Sequence, residues 1–490
     1  MLPMDLMEII KNQNEHIKLL TNQLQQQTLL IQQQMEQIHA LTLNIAELNE
    51  RLKKNSKNSS KPPSTDGFTK PKSLRTPSNR KPGAQKGHSG AGLKLPHQPD
   101  ERIDCEPTQC LHCPNAQLCN STVKESRYEI DLKTIVIVRQ YRQISRTCTR
   151  FNHIVLTGEF PENVTSTKQY GNGVKALAVA LTSVGTVSIQ RTHDLISAIS
   201  GLTISTGSLY KMSHDFALGL TDVVESIRLA LLAKQTPVHC DESGARTAGK
   251  LAWFHNASDQ EYTYQTASWK RGLEGMQEAN FLPMYDGIIV HDCWKTYWFF
   301  NHVEHAVCCA HLLRELTGIY ENNPQQQWAE SLKQLLLDMK KVKEHAIEQE
   351  KLVLSYYYQH KFSLAYDYFL QEAVEQNPIP EKEPGKRGRA KRGKTRALAD
   401  RLIACKGEVF LFIKNFLVPF DNNQAERDIR MLKVKVKVSG CFRTMEGAKD
   451  YALIRSYLSS AKKHGVNVYK AIELALAGNA EKAIWIEATE

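Results

Sequence analysis

The sequence predicts an α/β core whose sheet is followed by a long helical interruption. Three observations carry this. Five short apolar or alternating runs lie between Thr236 and His311, three before a helix-like piece and two after it. From about residue 312 to about 400 the pattern is helical, with no comparable strand signal. The polar-to-helical stretch VPFDNNQAERDIRMLKVKVKVSGCFRT, Val418 to Thr444, then follows. Three strands, a helix, a strand, a helical piece and a fifth strand is the order of a ribonuclease-H-like fold. The expected layout has a coiled coil over 1–54 and a basic Pro/Gly/Ser-rich linker over 55–100. A cysteine-rich, zinc-finger-like unit over 101–155 and a helix-turn-helix-like region over 165–230 come next. The α/β core over 234–460 and a helical tail over 461–490 complete it. At 490 residues, about three domains of roughly 150 residues are expected.

The first segment is free of Gly and Pro from Met4 to Ser60. Apolar residues recur every seven positions at Ile10, Ile17, Leu24, Ile31, Ile38, Ile45 and Leu52, and Gln13, Leu20, Gln27, Gln34, Leu41 and Leu48 fill the matching d positions. Such a seam predicts pairing with a partner helix, here a homo-oligomer, with the glutamines restricting register. The competing reading is an amphipathic helix packed on its own chain. Net charge is +11, and its placement is informative: Lys53 to Pro99 holds eleven Lys or Arg residues and one acid, Asp66. A localised basic, Pro/Ser/Gly-rich stretch points to a polyanion such as nucleic acid, or else to a solvated tether.

Eleven cysteines in a chain with no secretory start and no run near the ~20 apolar residues of a membrane span suit a cytoplasmic, nucleoid-associated protein. Cys110 and Cys113 have the CxxC spacing of a zinc knuckle, and an alternating hairpin after them brings back Cys148. Cys105 and Cys119 are further candidates; free thiols in a small β unit are the alternative. HDLISAISGLTISTGSLYKMSHDF reads as helix, turn and helix, the second capped by Ser205 or Thr206.

In the core, Asp241 and Asp292 fall at or just beyond the C-terminal end of an apolar strand, where ligand sites of open α/β sheets gather. Asp421-Asn422-Asn423 favours a helix start, and Glu426 follows on that helix among Arg427, Arg430, Lys433, Lys435 and Lys437. Two strand-end carboxylates and one from a helix make a hard-oxygen site suited to a pair of Mg²⁺ (or Mn²⁺) ions. Glu242, Asp286, Asp421 and Asp428 read as surface, capping or ion-pair acids, and His291, His311 and Arg314 read at least as well as packing residues. Arg430, Lys433, Lys435, Lys437 and Arg443 are candidate DNA-backbone contacts, as is the basic KRGRAKRGKTR at 386–396.

HCDESG, GIIVHDCWKTYW, CCAHLLREL and above all DNNQAER and KVSGCFRT resemble the transposases of the insertion sequence 66 family, and the resemblance runs over nearly the whole chain. It implies an Asp-Asp-Glu triad on a ribonuclease-H-like core, at Asp241, Asp292 and Glu426, with a helical insertion between the second and third acids. The family's finger closes with a second CxxC, whereas Phe151 stands where the last cysteine would be. The expected function is metal-dependent cleavage at element ends and 3′-OH strand transfer into target DNA. Accessory proteins of the same element are implied as partners. The alternatives are a non-catalytic repressor derived from a transposase and a structure-selective nuclease on the same fold.

Overall fold

A computed structural model describes residues 4–55, 58–59, 97–105, 123–130, 134–147, 155–379 and 392–485. Most of the basic linker, much of 386–396, and Cys110, Cys113, Cys119 and Cys148 lie outside the described residues. The chain divides into two units, one of 1–71, 172–188 and 210–490 and one of 72–171 and 189–209.

The first unit begins with one 50-residue helix, α1 (Met4–Lys53). All seven a positions are exposed, from Ile10 at 47% to Leu52 at 83%, so the seam is uncovered within the described chain. Asn58, just beyond α1, is buried. Its amide Nδ2 donates to Lys53 O (3.0 Å) and to Glu321 Oε2 (2.8 Å).

The second unit holds a short antiparallel pair, β1 (Ser145–Thr147) and β2 (Val155–Thr157). This is not the hairpin expected over Tyr128–Cys148: among the described residues of 128–144 there is no strand, and β2 lies beyond Cys148. The second unit also holds α3 (Ile189–Ser200) and the start of α4 (Thr206–Leu218), with Gly201 at φ +68° between them; α2 (Asn172–Val179) and the rest of α4 belong to the first unit. Ser205 caps α4 by accepting from Ser208 N (3.0 Å), as its position predicts.

The core opens with α5 (Thr221–Leu232) and then β3 (Val238–Thr247), β4 (Lys250–Ser258), β5 (Thr263–Ser268), α6 (Leu273–Glu278), β6 (Ile288–His291) and β7 (Glu304–Val307). The sheet order is β5-β4-β3-β6-β7, antiparallel across the first three strands and parallel from β3 to β6 to β7. A central first strand with a meander on one side and parallel strands on the other is consistent with a ribonuclease-H-like core. β6 is buried on both faces: Ile289 joins the core under α5, while Ile288 and Val290 join the core of the helices that follow. That two-sided burial explains why β6 reads as a continuous apolar run rather than an alternating one.

The interruption is α7 (Cys309–Asn322), α8 (Gln327–Glu348), α9 (Tyr356–Gln376), α10 (Lys394–Ala404) and α11 (Lys406–Lys414), packed around Trp328, Leu332, Leu336, Tyr366 and Leu402. It reaches Lys414, beyond the expected end at about 400. α12 (Asn423–Ser439), α13 (Met445–Lys463) and α14 (Val468–Leu476) close the fold.

Gly318 in α7 meets the buried Asn58: a Cβ there would lie 2.4 Å from Asn58 O. Alanine is worth about 0.8–1 kcal/mol more than glycine in a helix interior, so thermal stability alone would hide the effect. Gly318→Ala is expected to release the 53–59 segment, seen as faster amide hydrogen exchange there; unchanged exchange would count against this contact.

Candidate active site

Asp292 is the first residue after β6, as the sequence predicts. Asp241 is not at a strand end: it is the fourth residue of the ten-residue β3. The cause is the length mismatch between neighbours. β3 pairs in parallel with β6 only at Val238↔Ile289 and His239↔Val290, then runs on as a hairpin with β4 to Thr247↔Lys250. Asp241 therefore stands where β3 outruns β6. Carried two residues further, the register sets Asp241 level with Asp292, and strand alternation puts both on the face of His239 and Val290.

α12 lies on that face and is fastened at both ends to β3. At its start, Asn422 is almost fully buried; its Nδ2 donates to Cys240 O (2.7 Å) and its Oδ1 accepts from His239 Nδ1 (2.8 Å). At its end, Gly440 (φ +79°) turns the chain so that Phe442 N donates to Arg246 O (2.9 Å) and Ala248 N donates to Phe442 O (2.9 Å). A 17-residue helix is about 25 Å long at 1.5 Å per residue, close to the run of β3 between these anchors at about 3.3 Å per residue. The DNNQAER and SGCFRT motifs are thus two clamps on one strand, and Glu426 is carried in the first turn beside the first clamp. Asn422 serves as this clamp instead of capping α12 with its side chain; Asp421 accepts from Asn423 N (3.0 Å).

The charges of the other two acids act on Asp241. Burial pushes the Asp241 carboxyl well above its ordinary range, and the nearby Glu242, Asp292 and Glu426 charges push it further, against a smaller pull from Lys433. Burial likewise raises Asp292, opposed by the Trp294 N–H, which donates to its Oδ1 (3.0 Å), and by the Arg271 charge. Cys293 follows at φ +67°, a left-handed conformation that a non-glycine side chain adopts at some cost, and the turn folds Trp294 N back onto the carboxylate. Glu426 Oε1 lies 3.4 Å from Arg314 Nη2 and 3.8 Å from His311 Nε2. The His311 ring, pushed down to about 4 by burial, is neutral at pH 7, so Arg314 supplies the charge.

Among the described residues no three His, Cys, Asp or Glu side chains are gathered closely enough to hold a metal ion as they stand. The donor chemistry nevertheless fits a hard divalent cation: three carboxylates, with the charges of Asp292 and Glu426 bearing on a buried Asp241, a repulsion that a cation would relieve.

Around the triad, several readings change. Glu242 is no surface acid, since its side chain is 2% exposed and is held by Arg271 (2.7 Å) and by the Tyr297 hydroxyl (2.8 Å). Asp428 keeps the ion-pair reading, pairing with Lys463 (2.8 Å), both nearly buried. His291 is a core residue whose ring bonds His305 (3.0 Å), and burial lowers it to about 3. Arg430, Lys433, Lys437 and Arg443 are exposed. Lys435 is not among them as a free cation: its ammonium lies 4.5 Å from the centre of the Phe442 ring and bonds Ser439 Oγ (3.1 Å). The +2 step from Lys433 turns it under the helix, against the Phe442 clamp. Asn422, Arg271 and Tyr297 were not singled out by chemistry in the sequence; Asn422 lay inside the motif but read only as a helix start. Cys105 is exposed, and the other zinc candidates lie outside the described residues. No described helix is long and apolar enough to cross a membrane.

Residues 10–94 match a family of unknown function (DUF6444). No curated protein matches the sequence. Residues 167–450, more than half of the chain and including the whole five-stranded sheet, Asp241, Asp292 and Glu426, match the family described as Transposase IS66 family. The chain belongs to the IS66 family of Asp-Asp-Glu transposases.

Proposed function

We propose that this transposase cuts DNA at the ends of its element and joins the freed 3′-OH to target DNA, with Asp241, Asp292 and Glu426 as the catalytic acids. The observation that carries the reading is the register: Asp241 inside β3 and Asp292 just past the parallel β6 each lie two residues beyond the last paired residues, with a third acid on a helix clamped to β3. In the first step water attacks the phosphorus at the element end, and the 3′-oxygen leaves with a proton. In the second, that hydroxyl attacks a target phosphodiester and displaces the target's own 3′-oxygen, so one bond forms for each bond broken. A pair of divalent cations would supply Lewis-acid stabilisation of the attacking and leaving oxygens. The protein's part is to hold the carboxylates: Asn422 fixes the start of α12, the Trp294 N–H orients Asp292, and Arg314 with His311 steadies Glu426.

The exposed Arg430, Lys433, Lys437 and Arg443 serve as backbone contacts in this reading, Arg430 one turn after Glu426 on its helix face. The uncovered seam of α1 is assigned to a second copy of the chain. Glu426→Gln is the direct test. On a duplex bearing the element end, in Mg²⁺, cleavage is expected to fall on the order of 10³-fold or more with end binding retained. Wild-type binding with no cleavage would favour the repressor alternative, and cleavage of branched DNA with no strand transfer would favour the nuclease.

A further inference from the structure

We infer that Arg271 grips a phosphate of the DNA strand entering the acidic site, held for that task by Glu242. This rests on the DNA-cutting reading and adds a contact to it. Arg271 lies between α6 and β5, outside every motif that suggested a nucleic-acid contact. Its guanidinium carbon stands 4.7 Å from the Trp253 ring centre and 4.1 Å from that of Trp294, so two indoles border the planar group. Nε (3.1 Å) and Nη2 (2.7 Å) both donate to Glu242 Oε1. Glu242 Oε2 is taken by the Tyr297 hydroxyl at 2.8 Å. Among the described residues Nη1 has no hydrogen-bond partner, and the Arg271 side chain is 40% exposed.

The backbone is also pinned. Lys270 O accepts from His255 Nε2 (3.1 Å), and a Cβ at Gly275 would come within 2.0 Å of that oxygen, so only glycine allows the approach. A buried acid that needed only a countercharge would be served by a lysine. A stacked guanidinium, anchored along one edge and open on the other, is instead prepared for a second anion, since it loses little freedom on binding. The anion is set by location: Trp294 is two residues past Asp292, and exposed Lys295 follows it. On this proposal, a phosphodiester bound at Asp292 also meets this edge. Glu242 is then a positioning residue, not a fourth catalytic acid.

The test separates charge from packing. Arg271→Gln alone would strand the buried Glu242, so the informative variant is Arg271→Gln with Glu242→Gln, a neutral pair of similar shape, beside Arg271→Lys. Binding to a labelled element-end duplex, already cut so that no hydrolysis intervenes, is measured by anisotropy across a salt series in Mg²⁺. Each phosphate contact contributes about 0.9 to the slope of log K against log salt. The slope is expected to fall by about one in the neutral pair and to hold in Arg271→Lys, while thermal melts stay cooperative in both. An unchanged slope in a folded neutral pair would overturn the assignment. Because binding is read without cleavage, this result stands apart from whether Glu426 is catalytic.

Discussion

Asp241→Asn is expected to abolish cleavage, by on the order of 10³-fold or more, while making the metal-free protein more stable. Burial and three neighbouring carboxylates raise the folded-state pKa of Asp241 above its unfolded value. As pH rises, the unfolded chain gives up the proton first, so deprotonation favours unfolding. The stability present below the unfolded pKa is therefore lost as pH climbs from that value through the raised folded one. At pH 7 the wild type bears this loss and the asparagine variant does not. Melting in EDTA is expected at a higher temperature for the variant. Added Mg²⁺ is expected to raise the wild type more than the variant, since a cation relieves repulsion only where the charge exists. A variant that melts lower than wild type in EDTA would show that Asp241 is a satisfied structural acid.

Removal of residues 4–52 is expected to reduce the oligomer to a smaller species, measured as mass in solution by light scattering. Each Ile or Leu of the seam gains about 1.5–3 kcal/mol on full burial, so seven such positions outweigh the weakening by Gln13, Gln27 and Gln34. A milder variant, Ile17→Asp with Ile31→Asp, keeps the helix length and places two charges in the seam; it is expected to dissociate the oligomer likewise. Unchanged mass in both would mean that α1 pairs with nothing and that assembly lies elsewhere. The truncation leaves Asn58 in the chain, so its contact with Gly318 is not the variable.

The strand order, the helical interruption and Asp292 were legible because each rests on a local pattern: apolar runs, helix periodicity and a run that stops at a polar residue. The place of Asp241 was not. HCDESG turns polar at Asp241, which reads as a strand end, yet β3 continues because β4 pairs with it through Thr247. A strand's length is set by its partner, and pairing is non-local. The same holds for Glu242, whose burial depends on Arg271 and Tyr297, 29 and 55 residues away. Lys435 failed in the opposite direction. It stood in an alternating basic run and looked solvated, but a 3.6-residue period turns it toward Phe442. Resemblance implied which acids to consider; it did not show that the two motifs flanking Glu426 are the clamps that set α12 along β3.

The double fastening of α12 has a temporal consequence. Cys240 and Arg246 are made early in synthesis, but the residues that bond to them, Asn422 and Phe442, emerge roughly two hundred positions later. Until then the chain carries its basic arm, its long helix and two of its acids, and lacks the third. On the assignments proposed above, a copy of the gene truncated between the codons of Asp292 and Glu426 would encode a chain that keeps the DNA-meeting arm and the pairing helix and lacks the third acid. On those same assignments, decay from the 3′ end would turn the enzyme into its own competitor.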